Sequence, residues 1–184
     1  MLEGAQIAVV VPAYDEERLI ARTLRSIPRF VDRVVVVDDA SRDGTAEVVA
    51  AWPERRVELV HHPVNRGVGA AIASGYRRAF DGGADVAAVM AGDAQMDPAD
   101  LRRVVLPVVR GDADYTKGDR LSHPEARARM PLVRWLGNHA LSGLTRLATG
   151  LSVRDSQCGY TALSREAARR LPLERLYPRY GYPN

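Results

Sequence analysis

At 184 residues, 46% hydrophobic and 27% charged, the chain is long enough for one domain with a full core and has the composition of an ordinary globular protein. Its 26 basic and 23 acidic residues give a net charge of only +3, and no aromatic residues interleave with the basic ones in the manner of a nucleic-acid surface, so a nucleic-acid partner is excluded. The lone cysteine, Cys158, excludes an intramolecular disulfide and a cysteine zinc cluster. No apolar run approaches the roughly 20 residues that span a bilayer, and no basic segment followed by an apolar one opens the chain. These features predict a cytoplasmic protein.

The predicted elements alternate through the first 117 residues. Ile7–Val11 reads as a strand, broken by Pro12 and followed by a helix from about Glu16 to Ser26 that Pro28 stops. Val34–Val37 is a second strand, with Ser41 or Asp43 capping a helix through Ala51. Val57–His61, a small-residue helix Gly67–Phe80 and the strand Val86–Met90 come next. Asp97 then caps a helix that Pro98 opens and that runs to about Val109, and Ala113–Lys117 is a further strand. Such alternation predicts an α/β fold with a mostly parallel central sheet and helices on both faces.

The remainder changes character. From Met130 to Thr149 the apolar residues Val133, Leu136, Ala140, Leu141, Leu144, Leu147 and Ala148 recur at helical spacing, with Pro131 suited to the first turn and Gly150 to the C-terminal cap. Two roles are open for that stripe: packing on the domain, the commoner fate, or lying near a lipid surface. Trp135 beside Arg134, and a basic excess over 102–134 that includes Lys117, Arg120, Arg127 and Arg129, favour an anionic partner; a plain solvated surface is the alternative. An interrupted extended segment covers Val153–Leu163, and the Pro-, Tyr- and Arg-rich tail stops at Asn184 as though the natural protein continued.

Two strands end in acids: Val34-Val35-Val36-Val37-Asp38-Asp39, and Val86–Met90 followed by Ala91-Gly92-Asp93-Ala94-Gln95. In an open α/β sheet the ligand crevice lies outside the carboxyl ends of the strands, so these acids face a site. Carboxylates accept from sugar and base groups directly but bind phosphate only through a cation, so the pattern suggests a nucleotide held through a divalent metal. Tyr14 and Glu16 suit a nucleobase, by stacking and by accepting N–H groups; acids at a helix start are the structural alternative. Asp38 and Asp39 suit ribose hydroxyls. Asn65-Arg66-Gly67-Val68-Gly69 suits backbone N–H groups brought near a ligand, and Asp93 and Gln95 can face one hard cation. No G-x-G-x-x-G or Walker motif follows the first strand, which disfavours a dehydrogenase or a P-loop enzyme.

Val-Pro-Ala-Tyr-Asp-Glu, Val-Asp-Asp-Ala-Ser-Arg-Asp-Gly-Thr, Asn-Arg-Gly-Val-Gly-Ala-Ala, Gly-Asp-Ala-Gln-Met-Asp-Pro, Lys-Gly-Asp-Arg and Asp-Ser-Gln-Cys-Gly-Tyr occur in that order. Together they resemble the family-2 glycosyltransferases of GT-A fold, especially the polyprenyl- and dolichyl-phosphate mannosyl- and glucosyltransferases. The resemblance implies one domain, with a nucleotide-sugar-binding half over 1–117 and an acceptor-side half over 118–184. It implies that Pro12, Ala13, Tyr14 and Glu16 line the base pocket, that Asp39 holds the nucleoside with Arg66 and Gly67 nearby, and that Asp93 and Gln95 bind Mg²⁺ or Mn²⁺ on the diphosphate. The family often carries Asp-x-Asp-x-Gln here, and the first Asp falls on Ala91.

By the same resemblance Lys117 and Arg120 lie near the acceptor, joined by Arg134 and Gln157, and Asp155 stands beside the reacting centre. Cys158 is a packed residue rather than a nucleophile. The implied activity is inverting transfer of a hexose from a GDP- or UDP-sugar to polyprenyl phosphate, at the cytoplasmic membrane face. A sugar hydroxyl acceptor needs a general base, for which Asp155 is the candidate, whereas a polyprenyl phosphate is already anionic and needs orientation by Arg120 and Arg134. A soluble sugar or glycan acceptor and a noncatalytic nucleotide-sugar-binding module are the alternatives.

Overall fold

The structure, a computed structural model, describes residues 1–122 and 130–179; the side chain of Glu174 is also outside the description, as are Arg127, Arg129 and the end of the tail. Its strands are β1 (Ile7–Ala13), β2 (Arg33–Asp38), β3 (Val57–His61), β4 (Val86–Val89), β5 (Tyr115–Lys117) and β6 (Thr161–Ser164). Its helices are α1 (Ile20–Ser26), α2 (Thr45–Ala50), α3 (Val68–Asp81), α4 (Leu101–Val109), α5 (Leu132–Thr149) and α6 (Arg165–Arg170). The six strands form one sheet in the order β3-β2-β1-β4-β6-β5. β1 pairs in parallel with β2 and β4, β2 in parallel with β3, and β6 lies antiparallel to both β4 and β5.

β5 therefore runs in the sense of β1 to β4, and their carboxyl ends share one edge of the sheet with the start of β6. The chain winds outward from β1 to β3 on one side and resumes at β4 on the other, so β1 and β4 flank the point where the strand order reverses. That is where open α/β sheets open a crevice.

The strands form because β-branched residues can be buried on both faces at once. In β1, Ile7, Val9 and Val11 enter one core with α1 and α4, while Ala8 and Val10 enter the other with α3. Gly75 sets how closely α3 can lie on the sheet: a Cβ there would sit 2.2 Å from Val10 Cγ1.

β1 continues through Pro12 instead of breaking at it. The carbonyls of Val10 and Pro12 accept from Met90 and Gly92, so the missing N–H of Pro12 faces β4 beyond its last paired residue, Val89, and costs no ladder bond. α1 begins only at Ile20, because the residues after β1 are committed to another loop. Of the extended segment expected over Val153–Leu163, only the part from Thr161 is strand, continuing to Ser164; it inserts between β4 and β5, so the second half of the chain completes the sheet of the first. Asp97 caps the turn at Pro98 by accepting from Ala99 N–H (2.9 Å), and Gly150 closes α5 in the left-handed conformation, both as expected.

α5 is inverted relative to an ordinary surface helix. It buries Asn138 and Ser142, and the Ser142 hydroxyl accepts from Ser156 N–H at 3.0 Å. Its apolar stripe faces outward: Leu132, Val133, Leu136, Leu141, Leu144 and Leu147 are all exposed, Val133 at 84% and Leu147 at 85%. Packing of the stripe on the described domain is thereby overturned. No helix among the described residues is long and apolar enough to cross a membrane.

Gly75→Ala is expected to lower unfolding free energy by about 1–2 kcal/mol, since overpacking outweighs the helix preference of Ala. Urea denaturation checks it, and Val10→Ala in the same chain is expected to cost less than it does alone.

Candidate active site

Backbone strain marks the carboxyl edge of the sheet. Non-glycine residues adopt positive φ just past the ends of β1, β2 and β4: Asp15 (56°), Ala40 (61°) and Ala94 (56°). Each such residue costs about 1–3 kcal/mol and persists only where its surroundings hold it, and such strain gathers at functional sites.

The loops after β1 and β2 hold each other. Asp15, Glu16 and Glu17 donate backbone N–H bonds to the side chains of Ser41 (3.0 Å), Thr45 (2.8 Å) and Asp43 (3.0 Å). In return, the side chains of Asp15 and Glu17 accept from the backbone of Arg42 (2.7 Å) and Gly44 (3.0 Å). Ser41, Asp43 and Gly44 thus do more than shape their own turn: they lock the Tyr14–Glu17 loop. Glu17, unnoticed in the sequence because it looks like an ordinary helix-start acid, is part of that lock. Tyr14 is left exposed at the edge, above buried Ala13 and half-buried Pro12.

The Asp38-Asp39 pair meets a His61-His62 pair across β2 and β3. Asp38 is fully buried and accepts from His61 Nδ1 at 2.8 Å. Asp39, also buried, accepts from His62 Nδ1 (2.7 Å) and Arg66 N–H (2.9 Å) on Oδ1 and from Gly67 N–H (2.7 Å) on Oδ2. The carboxylate expected at the nucleoside therefore also organises the glycine loop, with one acceptor position left, on Oδ2.

The amides of Arg66, Gly67, Gly69 and Ala70 are spent within the protein rather than left for a ligand. Those of Arg66 and Gly67 go to Asp39, and those of Gly69 and Ala70 to the carbonyl of Pro178 in the tail, at 2.8 and 3.2 Å. Gly67 and Gly69 are glycines because that strap lies on them; a Cβ would sit 2.4 Å from Pro178 O and 1.9 Å from Tyr177 O, respectively. Arg66 presents an exposed side chain at the loop's surface.

Across the reversal point, Asp93 shares the crevice with Glu16. Burial, and then the charges of Asp93, Asp43 and Asp15, raise the Glu16 carboxyl above its ordinary range. Asp93 Oδ1 accepts from Gln95 N–H at 3.1 Å, and the Gln95 residue is exposed. Among the described residues no group of three His, Cys, Asp or Glu side chains forms a ready metal cage. The Asp93 carboxylate and exposed Gln95, in a crevice of surplus negative potential and open to phosphate and water oxygens for the remaining ligands, nevertheless fit Mg²⁺ or Mn²⁺ bound together with a diphosphate.

On the far side, β5 and the start of β6 gather Lys117, Arg120, Asp155, Gln157 and Cys158. Asp155 is 1% exposed and holds Arg120 in a bidentate pair, Nε to Oδ2 at 2.8 Å and Nη2 to Oδ1 at 3.1 Å. It also accepts backbone N–H bonds from Arg120 (3.2 Å) and Gln157 (3.1 Å), so its four acceptor positions are filled. To take up a proton, Asp155 would have to give up one of these four bonds. The Gln157 side chain donates to Ser156 Oγ at 3.0 Å. Burial lowers the Lys117 pKa, opposed by the charges of Cys158 and Asp155, and burial raises that of the Cys158 thiol, which is packed in the core as expected. Arg134 is carried separately, on the exposed first turn of α5.

The sequence matches the family model for Glycosyl transferase family 2 over residues 8–171. The chain belongs to that family. It is 31% identical to a UDP-N-acetylglucosamine–dolichyl-phosphate N-acetylglucosaminyltransferase of Methanococcus voltae, over 95% of this chain and 75% of that protein. It is 30% identical to an undecaprenyl-phosphate mannosyltransferase of Micrococcus luteus, over 96% of this chain and 74% of that one. The fold is of GT-A type, like that of glucosyl-3-phosphoglycerate synthase from Mycobacterium tuberculosis in complex with Mn²⁺, UDP-glucose and phosphoglyceric acid: TM-score 0.70 at 25% identity, over 98% of this chain and 63% of the synthase chain. In this family-2 domain, the six sequence signatures fall on the sheet's carboxyl edge or on the loops that border it.

The raised Glu16 pKa has a definite sign. The folded state holds that proton more tightly than the unfolded chain does, so the contribution favours folding at low pH and is lost as pH rises from the ordinary 4.5 through the folded value. Asp93→Asn is expected to lower the Glu16 pKa and flatten that part of the stability–pH curve. Carboxyl-carbon NMR titration and denaturation at several pH values measure both.

Proposed function

We propose that this domain transfers a hexose from a GDP- or UDP-sugar to polyprenyl phosphate, with inversion at the anomeric carbon. The observation that carries the proposal is the saturated Asp155. A hydroxyl acceptor needs a base to take its proton, whereas a phosphate monoester arrives ionised and needs cations to hold it against an anionic donor. Arg120, fixed by Asp155 through two of its nitrogens, keeps Nη1 for such a phosphate. Lys117 adds a second charge from the end of β5, and Gln157 borders the same space.

Tyr14 and Glu16, with Pro12 and Ala13, receive the base; Asp39 accepts a ribose hydroxyl on its remaining position, and Arg66 reaches the donor from the glycine loop. Asp93 and Gln95 hold Mg²⁺ or Mn²⁺, which when bound offsets the charge of the departing nucleoside diphosphate. The relatives from M. voltae and M. luteus, named for dolichyl and undecaprenyl phosphate, support the lipid acceptor.

α5 supports the same reading. Its outward leucines, with Trp135, Arg134 and Arg146 and no acidic residue along the helix, suit the boundary of an anionic membrane, where Arg134 meets the lipid phosphate. A soluble phosphorylated acceptor is the second reading, favoured by the likeness to a synthase whose structure holds phosphoglyceric acid.

Arg120→Ala is expected to raise the KM for polyprenyl phosphate about ten- to a hundredfold, the worth of a charged hydrogen bond, and that for the nucleotide sugar less than threefold. Steady-state kinetics with each substrate varied tests this, and equal effects on both refute the acceptor role. Asp93→Ala is expected to abolish the Mn²⁺ dependence of UDP or GDP binding in calorimetry. Leu144→Asp with Leu147→Asp is expected to reduce cosedimentation with phosphatidylglycerol vesicles while leaving nucleotide binding unchanged.

A further inference from the structure

His62 is a buried polar residue that the sequence signatures do not include. It lies just beyond β3, its side chain 6% exposed, and both ring nitrogens are engaged: Nδ1 with Asp39 Oδ1 at 2.7 Å and Nε2 with Ser74 Oγ at 2.9 Å. An ionised carboxylate only accepts, so Nδ1 carries a proton and donates it to Asp39. Ser74 stands on α3, half-buried, and lines a cavity of about 190 Å³ together with Arg66, Arg77 and the tail residues Leu173, Leu176 and Pro178. The connected chain Ser74–His62–Asp39 thus runs from α3 to the carboxyl end of β2.

The consequence lies in how Asp39 is aimed. Oδ1 is filled by His62 and Arg66 N–H, which leaves the carboxylate no freedom to exchange its oxygens, and Gly67 N–H fixes Oδ2 from one side. The one remaining acceptor position on Oδ2 therefore points in a single direction. Without the Nδ1 donor, Oδ1 has an unfilled position of its own, and the carboxylate can turn to offer either oxygen.

We infer that His62 is a positioning residue for nucleotide binding: it orients Asp39 so that its last acceptor position meets a donor group of the nucleoside, and Ser74 holds the imidazole in that tautomer. This rests on the proposal that Asp39 contacts the nucleotide. His62 touches neither substrate nor reacting atoms. Its effect belongs to binding rather than to turnover.

Asparagine can set its amide nitrogen near the position of Nδ1, and glutamine sets it near Nε2. His62→Asn therefore preserves the donor to Asp39, while His62→Gln preserves only the contact with Ser74. With UDP and GDP as probes in the presence of Mn²⁺, His62→Gln is expected to weaken calorimetric affinity about tenfold, one charged hydrogen bond's worth, and to raise donor KM in step with kcat within twofold of the parent. His62→Asn is expected to bind within threefold of the parent, although both variants lose thermal stability. Equal affinities for the two variants, with equal stability losses, mark His62 as structural only and overturn the inference.

Long-range ¹H–¹⁵N NMR of the unaltered protein covers the case in which a variant does not fold. Saturating UDP or GDP is expected to shift His62 Nδ1; an unmoved resonance overturns the inference. If the unaltered protein binds neither nucleotide, the nucleotide reading itself falls. If it binds one and the His62 tests fail, only the present inference falls.

Discussion

Everything at the site depends on β1 being hydrogen-bonded on both sides. A strand with β2 on one flank and β4 on the other must sit in mid-sheet, buried on both faces, and Ile7 to Val11 are fully buried accordingly. Because the chain reaches those flanks by winding in opposite directions, the loops leaving β1 and β4 diverge and open a crevice between them. The acids Glu16 and Asp93 enter it from opposite sides, close enough for the Asp93 charge to help raise the Glu16 pKa. β6 extends the sheet beyond β4 and brings Asp155 and Gln157 to the same edge. One topological reversal thus brings residues from 12 to 157 to one edge of the sheet.

The cost of that assembly is visible in the backbone. Asp15, Ala40 and Ala94 hold left-handed conformations, and the cross-loop bonds that fix the first two are made by Ser41, Asp43, Thr45 and Glu17. The loops after β1 and β2 are consequently braced by each other, which reduces the ordering cost of a ligand bound there. Beyond β4 a different rule holds: a buried carboxylate holds one arginine, and the helix next to it turns its leucines outward. A braced crevice and a charged mouth next to an apolar surface suit the proposed reaction between a soluble donor and a lipid-borne anion.

Much of the fold was legible because valine-rich strands and punctuating Gly, Pro and Asp carry local physics: β3 lies where periodicity set it, and Asp97 and Gly150 cap as their types demand. Pro12 misled because its missing N–H matters only if a partner strand faces it, a fact of topology. The helical stripe of α5 was also legible, but not which face turns inward, since that depends on the Ser142–Ser156 contact rather than on period. Site residues were legible as types at strand ends; their partners were not. The pairing of Asp155 with Arg120 spans 35 positions of sequence, and the partners of His62, Asp39 and Ser74, lie 23 positions before it and 12 after it, so no local pattern announces either contact.

On the proposed reading the acceptor is an anion held by cations, with no protein base. That reading is tested most directly by offering the protein a matched pair of acceptors, a short polyprenyl phosphate and the corresponding polyprenol, with GDP-mannose, UDP-glucose and UDP-N-acetylglucosamine in turn and Mn²⁺ present, and identifying products by mass spectrometry. A glycosyl phosphate lipid is expected from at least one donor, with no product from polyprenol. Transfer to polyprenol or to an uncharged soluble sugar, with none to the phosphate, would contradict the reading.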